Sequence, residues 1–290
     1  MIQLAIHMTN LLERSMSKKV LQDFNNIHSG RRIYVLGTGP TLLDLKPEHV
    51  QKIEKESISI AVNFSHVLPI VPTYWIAGGH PTQVAFALEH LSQETTMFFH
   101  QGPGETRIFP EIEQIVHTHD QTATACENPV VRPVTENVII GGHNILLSAS
   151  HLAYLMGASE LVFVGFEQVN RLHFHSLMEE ERRLAFKDKL INMREKYRNM
   201  NNPQSCHIVE CVSEILDINE DPKRRWCHFQ PVEVAKSLSF KPEGENHHNY
   251  PIFKKYVDQF KREGIKVLTT ATEGICVRAG AEVVKLDDIL

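Results

Sequence analysis

The stretch RRIYVLGTGPTLLDL, residues 31–45, carries three signals in a row: an apolar run, a glycine turn and a helical spacing of leucines. Residues 33–36 read as a buried strand and Gly37-Thr38-Gly39-Pro40-Thr41 as the turn, with a helix expected from about residue 42. The same grammar repeats outward along the chain. Residues 57–62 form a second apolar run ending at Asn63, and residues 73–77 a third ending at Gly78-Gly79-His80-Pro81. A helix is expected over 84–91, then a fourth strand over 96–99 ending at His100-Gln101-Gly102-Pro103-Gly104. Helical spacing returns over 145–156 and stops at Gly157, ahead of a strand at 161–164. A helix over 250–262, a strand over 265–268 and a turn over 270–274 close the pattern. Strands that are continuous apolar runs, alternating with helices, predict an α/β Rossmann-like fold: a mostly parallel sheet with helices on both faces.

Two segments depart from this rhythm. Leu4, Met8, Leu11 and Leu12 share one helical face, so residues 1–28 are expected to form an N-terminal amphipathic helix packed on the core. Residues 29–290 are then a single nucleotide-binding α/β domain with an irregular and helical insertion, or lid, over about 170–245. Within it, residues 178–200 are dense in charge, with a thin apolar stripe of Leu184, Leu190, Ile191 and Met193. Residues 201–246 show little periodicity and are expected to be irregular. Residues 111–136 read as loop.

The 290-residue chain has 30 Lys and Arg against 35 Asp and Glu, a formal net charge of −5. That balance gives no general basis for nucleic-acid binding, although Lys223-Arg224-Arg225 is a local basic cluster. Five scattered cysteines, an odd number, suit a reducing compartment better than a disulfide framework. The first residues lack the basic start and continuous apolar core of a signal peptide, and no apolar run is long enough to span a bilayer. A cytoplasmic protein is expected, with homo-oligomerisation left open.

Ligands of open α/β sheets bind beyond the carboxyl ends of the strands, near the point where strand order reverses. Four predicted strands end in residues suited to that place: the glycine turn, Asn63, Gly79-His80-Pro81 and Gly165-Phe166-Glu167. Glycines let main-chain N–H groups approach an anion, and a following helix adds partial positive charge. The turn is not a dinucleotide fingerprint, because Pro40 and Thr41 stand where that motif runs to its third glycine. No Walker lysine follows either. Tight strand-to-helix turns also need glycine for purely structural reasons, and Thr41 can serve as a helix cap. Cys206-His207, Cys211 and Cys227-His228 hold atoms suited to zinc, but without a Cys-x-x-Cys pair they read as scattered thiols, and no metal is expected there.

Taken in order, FNNIHSGRRIYVLGTGPTLLDL, ISIAVNFSHVL, PTYWIAGG, NVIIGGHNILLSASHLAYLMGASELVFVGFE and TTATEG resemble one family. It is the family that contains the motility-accessory-factor glycosyltransferases of flagellin and the archaeal hydroxymethyl-dihydropterin pyrophosphokinase. Single-domain bacterial sialyltransferases are similar at a greater distance, which points to a sialyltransferase-like variant of the Rossmann-like fold. The resemblance runs from Phe24 to Leu290 apart from about 170–245. It implies that Gly37, Thr38, Gly39, Pro40 and Thr41 surround a nucleotide phosphate with Asn63 beside it. Gly141, Gly142 and Asn144 would line the nucleotide or sugar, with Ser148 one helical turn deeper. Thr272-Glu273-Gly274 would rim the pocket, a structural cap being the other reading.

Two departures shape the expected chemistry. Relatives carry Asp where this chain has Gly79-His80, and Gly-x-Asp where it has Gly165-Phe166-Glu167. Magnesium prefers carboxylates and water, so these changes point away from a metal-dependent kinase. His80 and Glu167 remain as walls of the site. A metal-free transfer from a cytidine-monophosphate-linked sialate or other nonulosonate needs a general base for the acceptor hydroxyl. By placement before the last helix and strand, His247 and His248 are the candidates, with His173 and His175 competing. The expected activity is transfer of a nucleotide-activated sugar to a glycan or protein hydroxyl, with no cofactor required. The alternatives are a magnesium-dependent hydroxymethyl-dihydropterin pyrophosphokinase and a non-catalytic nucleotide- or sugar-phosphate-binding protein.

Overall fold

The computed structural model describes residues 21–78, 81–99, 139, 144–169, 173–200, 203–216, 232–237 and 249–290. After a short 3-10 turn at Leu21–Phe24, the elements run β1 (Arg32–Leu36), a 3-10 turn (Pro40–Asp44), α1 (Pro47–Glu56) and β2 (Ile58–Val62). A 3-10 turn (Ser65–Val67), β3 (Tyr74–Ala77), α2 (Pro81–His90), β4 (Thr96–Phe99), α3 (Ile145–Leu155) and β5 (Glu160–Val164) follow. Then come α4 (Phe174–Leu177), α5 (Glu180–Arg198), α6 (Pro203–Leu216), α7 (Val232–Ser237) and α8 (Asn249–Arg262). The chain finishes with β6 (Lys266–Thr269), α9 (Ile275–Ala279), β7 (Glu282–Val283) and α10 (Leu286–Ile289).

The strands form one sheet in the order β4-β3-β2-β1-β5-β6-β7, with every neighbouring pair parallel. Strand order reverses at β1, whose Ile33 faces Ile58 of β2 and whose Arg32 faces Glu160 of β5. The α/β reading of the sequence is therefore the architecture observed, with β7 the strand that the apolar pattern did not announce. A two-residue exposed strand has no apolar run to find.

Alternation along each strand builds two cores. Ile33, Val35, Ile60, Val62, Leu161 and Phe163 join α3 and α8 on one face, and Leu21 and Phe24 belong to this layer. Tyr34, Leu36, Val162 and Val164 point the other way, onto α1, α5 and α6. Helix α2 covers Ala61, Trp75 and Ala77 nearby. Fully burying one such side chain contributes about 1.5–3 kcal/mol, so both faces are needed to offset chain entropy. The expected N-terminal helix falls largely on residues 1–20, outside those described. Among the described residues, no helix is long and apolar enough to cross a membrane.

The insertion is more regular than its sequence suggests. Residues 203–216, read as irregular, form α6, and Ile208, Cys211, Val212 and Ile215 give it a buried stripe at helical spacing. That stripe is short and embedded among Asn, Pro and charged residues, which hides it. In α5 the buried stripe is Phe186, Leu190 and Met193, whereas Leu184 is 49% exposed.

The turn after β1 also differs from expectation. No α-helix begins at residue 42; a five-residue 3-10 turn intervenes, and α1 starts only at Pro47. Pro47 disfavours helical geometry at Lys46, which is extended with ψ 160°, so the chain must break before it restarts. The partial charge of a long helix is thus not delivered to the glycine turn.

Candidate functional site

At the reversal point, the turns after β1 and β5 interlock. The Gly37 N–H donates to Val164 O at 2.7 Å, and the Gly39 N–H donates to Gly165 O at 2.8 Å. Both glycine donors are therefore consumed by the neighbouring strand end rather than offered to an anion. What demands glycine is closeness: a Cβ on Gly37 would lie 2.1 Å from Gly165 O, and one on Gly39 1.7 Å from Glu167 Oε2. Gly165 itself sits at φ +76°, a left-handed conformation that side chains resist.

The threonines carry the remaining polarity. The Thr41 N–H donates to Glu167 Oε1 at 2.9 Å. Its hydroxyl accepts from the Gly165 N–H at 3.1 Å, and the Thr270 hydroxyl lies 3.5 Å away. The N–H of Thr38 meets no acceptor among the described residues, while its carbonyl accepts from the Phe174 N–H at 2.9 Å. Pro40 opens the 3-10 turn, where its missing N–H is not needed.

Glu167 is the centre of the arrangement. It is 7% exposed, and its Oε2 has no hydrogen-bond partner among the described residues. Its main chain is clamped from the far side. The Ile275 N–H donates to Glu167 O at 3.1 Å, and a Cβ on Gly274 would stand 1.6 Å from that oxygen. This close approach explains the glycine of the Thr272-Glu273-Gly274 stretch, where Thr272 itself is exposed. Burial raises the Cys276 thiol above its usual range, reinforced by the charge of Glu167, so this cysteine is an inert neighbour.

Asparagines line the same edge. Asn144 caps α3 by accepting the Leu146 N–H at 2.9 Å, and its amide nitrogen donates to Gln168 Oε1 at 3.0 Å. Gln168, at φ +49°, was not singled out from the sequence; its position directly after Glu167 at a strand end is the signal that could have found it. Asn63 ends β2 at φ +50°. Its carbonyl accepts from Trp75 Nε1 and His66 Nδ1, both at 2.8 Å, and its amide oxygen faces the Gly78 N–H at 3.4 Å. Asparagine tolerates that left-handed geometry better than most residues.

The histidines divide sharply. His173 brings Nδ1 within 3.2 Å of Thr38 Oγ1, at the edge of the turn. Burial lowers it to about 4, against the opposing main-chain bond from Thr38, so its ring is neutral near pH 7. His175 is fully buried, stacked on Phe186 at 5.1 Å and edge-on to Phe64 at 6.0 Å between ring centroids. That places it in the aromatic core and not on the rim, where a base for an incoming hydroxyl has to stand. His80, Gly141, Gly142, His247 and His248 lie outside the described residues.

Glu167 offers one carboxylate at the turn, and no group of three or more His, Cys, Asp or Glu able to hold a metal is gathered among the described residues. Of the thiol set, Cys206 is exposed on α6 and Cys211 is buried one turn on, with Sγ 3.9 Å from the His207 ring; Cys227 and His228 lie outside the described residues.

The site is thus a strand-end cleft with one open N–H, one N–H held by a carboxylate, three hydroxyls and three side-chain amides. No protein-family model matches the chain, and no curated protein matches it. Among solved structures it is similar to the MAf glycosyltransferase from Magnetospirillum magneticum AMB-1, at 10% identity and a TM-score of 0.36. That likeness covers 86% of this chain and 59% of the other, so the chain spans less than two thirds of that neighbour's length.

Proposed function

We propose that this protein is a glycosyltransferase-like enzyme that takes a nucleotide-activated sugar, of the cytidine-monophosphate-linked nonulosonate type, and transfers it to a glycan or protein hydroxyl. The observation that carries the reading is the β1 turn, at the carboxyl edge where strand order reverses: the Thr38 N–H meets no acceptor among the described residues, and the Thr41 N–H is matched to a negative group, the Glu167 carboxylate. A single phosphate leaving as the nucleotide monophosphate gathers negative charge, and main-chain donors there stabilise it once the Glu167 carboxylate has cleared the Thr41 N–H. Asn63 and Asn144, held by their own hydrogen bonds, orient donor groups on either side.

In this scheme a histidine removes the acceptor proton as the acceptor oxygen bonds to the sugar carbon, and the bond from that carbon to the phosphate oxygen breaks. His247 or His248 takes this role. His173 is neutral near pH 7 beside Thr38 and positions the turn.

The test is calorimetry with cytidine, uridine and adenine nucleotides, with and without magnesium. Binding of cytidine monophosphate without metal, and donor hydrolysis lost in His247→Ala or His248→Ala, is the expected result. Binding of ATP only with magnesium, and none of cytidine monophosphate, overturns it. That outcome favours the second reading, magnesium-dependent pyrophosphoryl transfer to a hydroxymethyl-pterin, for which the carboxylate of Glu167 is the one supporting observation. Binding without turnover would mark a nucleotide- or sugar-phosphate-binding protein.

A further inference from the structure

We infer that Glu167 is a built-in competitor for the anion site of the β1 turn, its carboxylate standing where a ligand phosphate oxygen must go. The inference deepens the nucleotide-binding reading above and rests on it for the identity of the phosphate's owner, though not for the competition itself.

Three observations carry it. Glu167 Oε1 already accepts the Thr41 N–H at 2.9 Å, the one turn donor that faces a negative group. The other oxygen lies against Gly39, so close that the turn has room for it only because residue 39 has no side chain. That oxygen is buried with no donor among the described residues, an arrangement that costs free energy and is relieved when the side chain turns outward.

The anchoring decides which part moves. Gly274 and the Ile275 N–H pin the main chain of Glu167, so the strand end cannot withdraw. Only the side-chain torsions are free to clear the turn. A phosphate and a carboxylate sharing the Thr41 N–H repel each other, so an anion binds only to molecules whose Glu167 has turned away. Apparent affinity is then reduced by the fraction of molecules in that state. Removing the carboxylate removes this handicap.

The experiment compares wild type, Glu167→Ala and Glu167→Gln, using inorganic phosphate as one probe and cytidine monophosphate as the other. Competition predicts that Glu167→Ala binds both probes roughly ten-fold tighter than wild type, with Glu167→Gln between them, because glutamine keeps the shape and loses the charge. Weaker binding of both probes by both variants overturns the inference, since Glu167 would then be a contact to the ligand. So would a wild-type affinity for phosphate that rises with magnesium and loses that rise in Glu167→Gln. Tighter phosphate binding by Glu167→Ala with no binding of any nucleotide keeps the competitor and overturns the nucleotide reading. Binding of neither probe to any form overturns both. Where Glu167→Ala does not fold, the Thr41 amide resonance of wild type decides. It shifts saturably with added phosphate if Glu167 is displaced, and phosphate binding that leaves it unmoved sinks the idea.

Discussion

Two neighbouring places on the sheet's carboxyl edge solve the same problem by opposite means. At the β1 and β5 ends, the chain turns by removing side chains. Gly37 and Gly39, with Gly274 reaching in from beyond β6, allow approaches that no Cβ permits, and Gly165 takes a left-handed φ of +76°. At the β2 and β3 ends, the chain turns on a residue that keeps its side chain, and main-chain hydrogen bonding holds the turn. Asn63 adopts a left-handed conformation, and its carbonyl gathers Trp75 and His66. The first arrangement is intolerant of any atom added; the second depends on donors and acceptors and is indifferent to bulk. The glycines at the first place are a packing device, and the polar work falls to threonine and glutamate.

The sharpest way to break this contrast is to add one methyl group. Gly274→Ala places it against Glu167 O at a residue with φ +96°, and Gly37→Ala places it against Gly165 O. Each variant is expected to lose at least about 3 kcal/mol in urea unfolding, because a main-chain collision cannot be relieved by a rotamer change. Gly39→Ala should lose clearly less, since its nearest obstacle is the carboxylate of Glu167, which can turn away.

Acid probes the other side of the comparison. Burial lowers His66 to about 3, opposed by its bond to Asn63 O and helped by nearby His90 and Lys189. The unfolded chain holds this histidine near its ordinary value of about 6.5, so between the two values the unfolded state binds the extra proton. The contribution is present above that ordinary value and is lost as pH falls toward about 3. At about pH 5 the loss is about 2 kcal/mol. Stability measured at about pH 7.5 and about pH 5 should fall more in wild type than in His66→Gln by that amount. Equal falls would remove His66 as the cause.

Thr41→Val tests the polar half of the first arrangement. It keeps the shape and leaves the buried Gly165 N–H without its acceptor, for an expected loss of about 1.5 kcal/mol. Thr41→Ser should restore most of it. The smallest effect is expected for Asn63→Gly. The main-chain carbonyl still accepts from Trp75 and His66, glycine accepts the positive φ readily, and only the long contact to Gly78 is lost. A change within about 0.5 kcal/mol is predicted; a loss near that of Gly37→Ala would erase the distinction between the two strand ends.

The strands were legible because their chemistry is local. Tyr34 to Leu36 and Val162 to Val164 are unbroken apolar runs, and each ends at a glycine. The turn itself was legible as a turn, but its donors were not. Whether Gly37 and Gly39 offer their N–H groups outward depends on Val164 and Gly165, which lie far along the chain and meet them only through the sheet. The same holds for Glu167. The sequence marks it as a strand-end carboxylate, yet only the fold places it over Gly39. His175 shows the converse limit, since nothing local distinguishes a rim histidine from one stacked on Phe186.

The pairing of β1 with β5 also has a consequence in time. Arg32 and Glu160 are 128 residues apart, whereas β2 and β3 reach their partners through short crossovers. Closing so long a segment is entropically slow relative to local contacts. As the chain emerges during synthesis, β2 can add to β1 early, while the opposite edge of β1 stays unpaired until β5 arrives. That waiting edge exposes N–H and C=O groups to other chains, which makes the half-made protein its most aggregation-prone form. The arrival of β5 ends that exposure and brings Glu167 to Thr41 in the same step, so the anion cradle comes into being only when β5 docks on β1, ahead of β6 and β7.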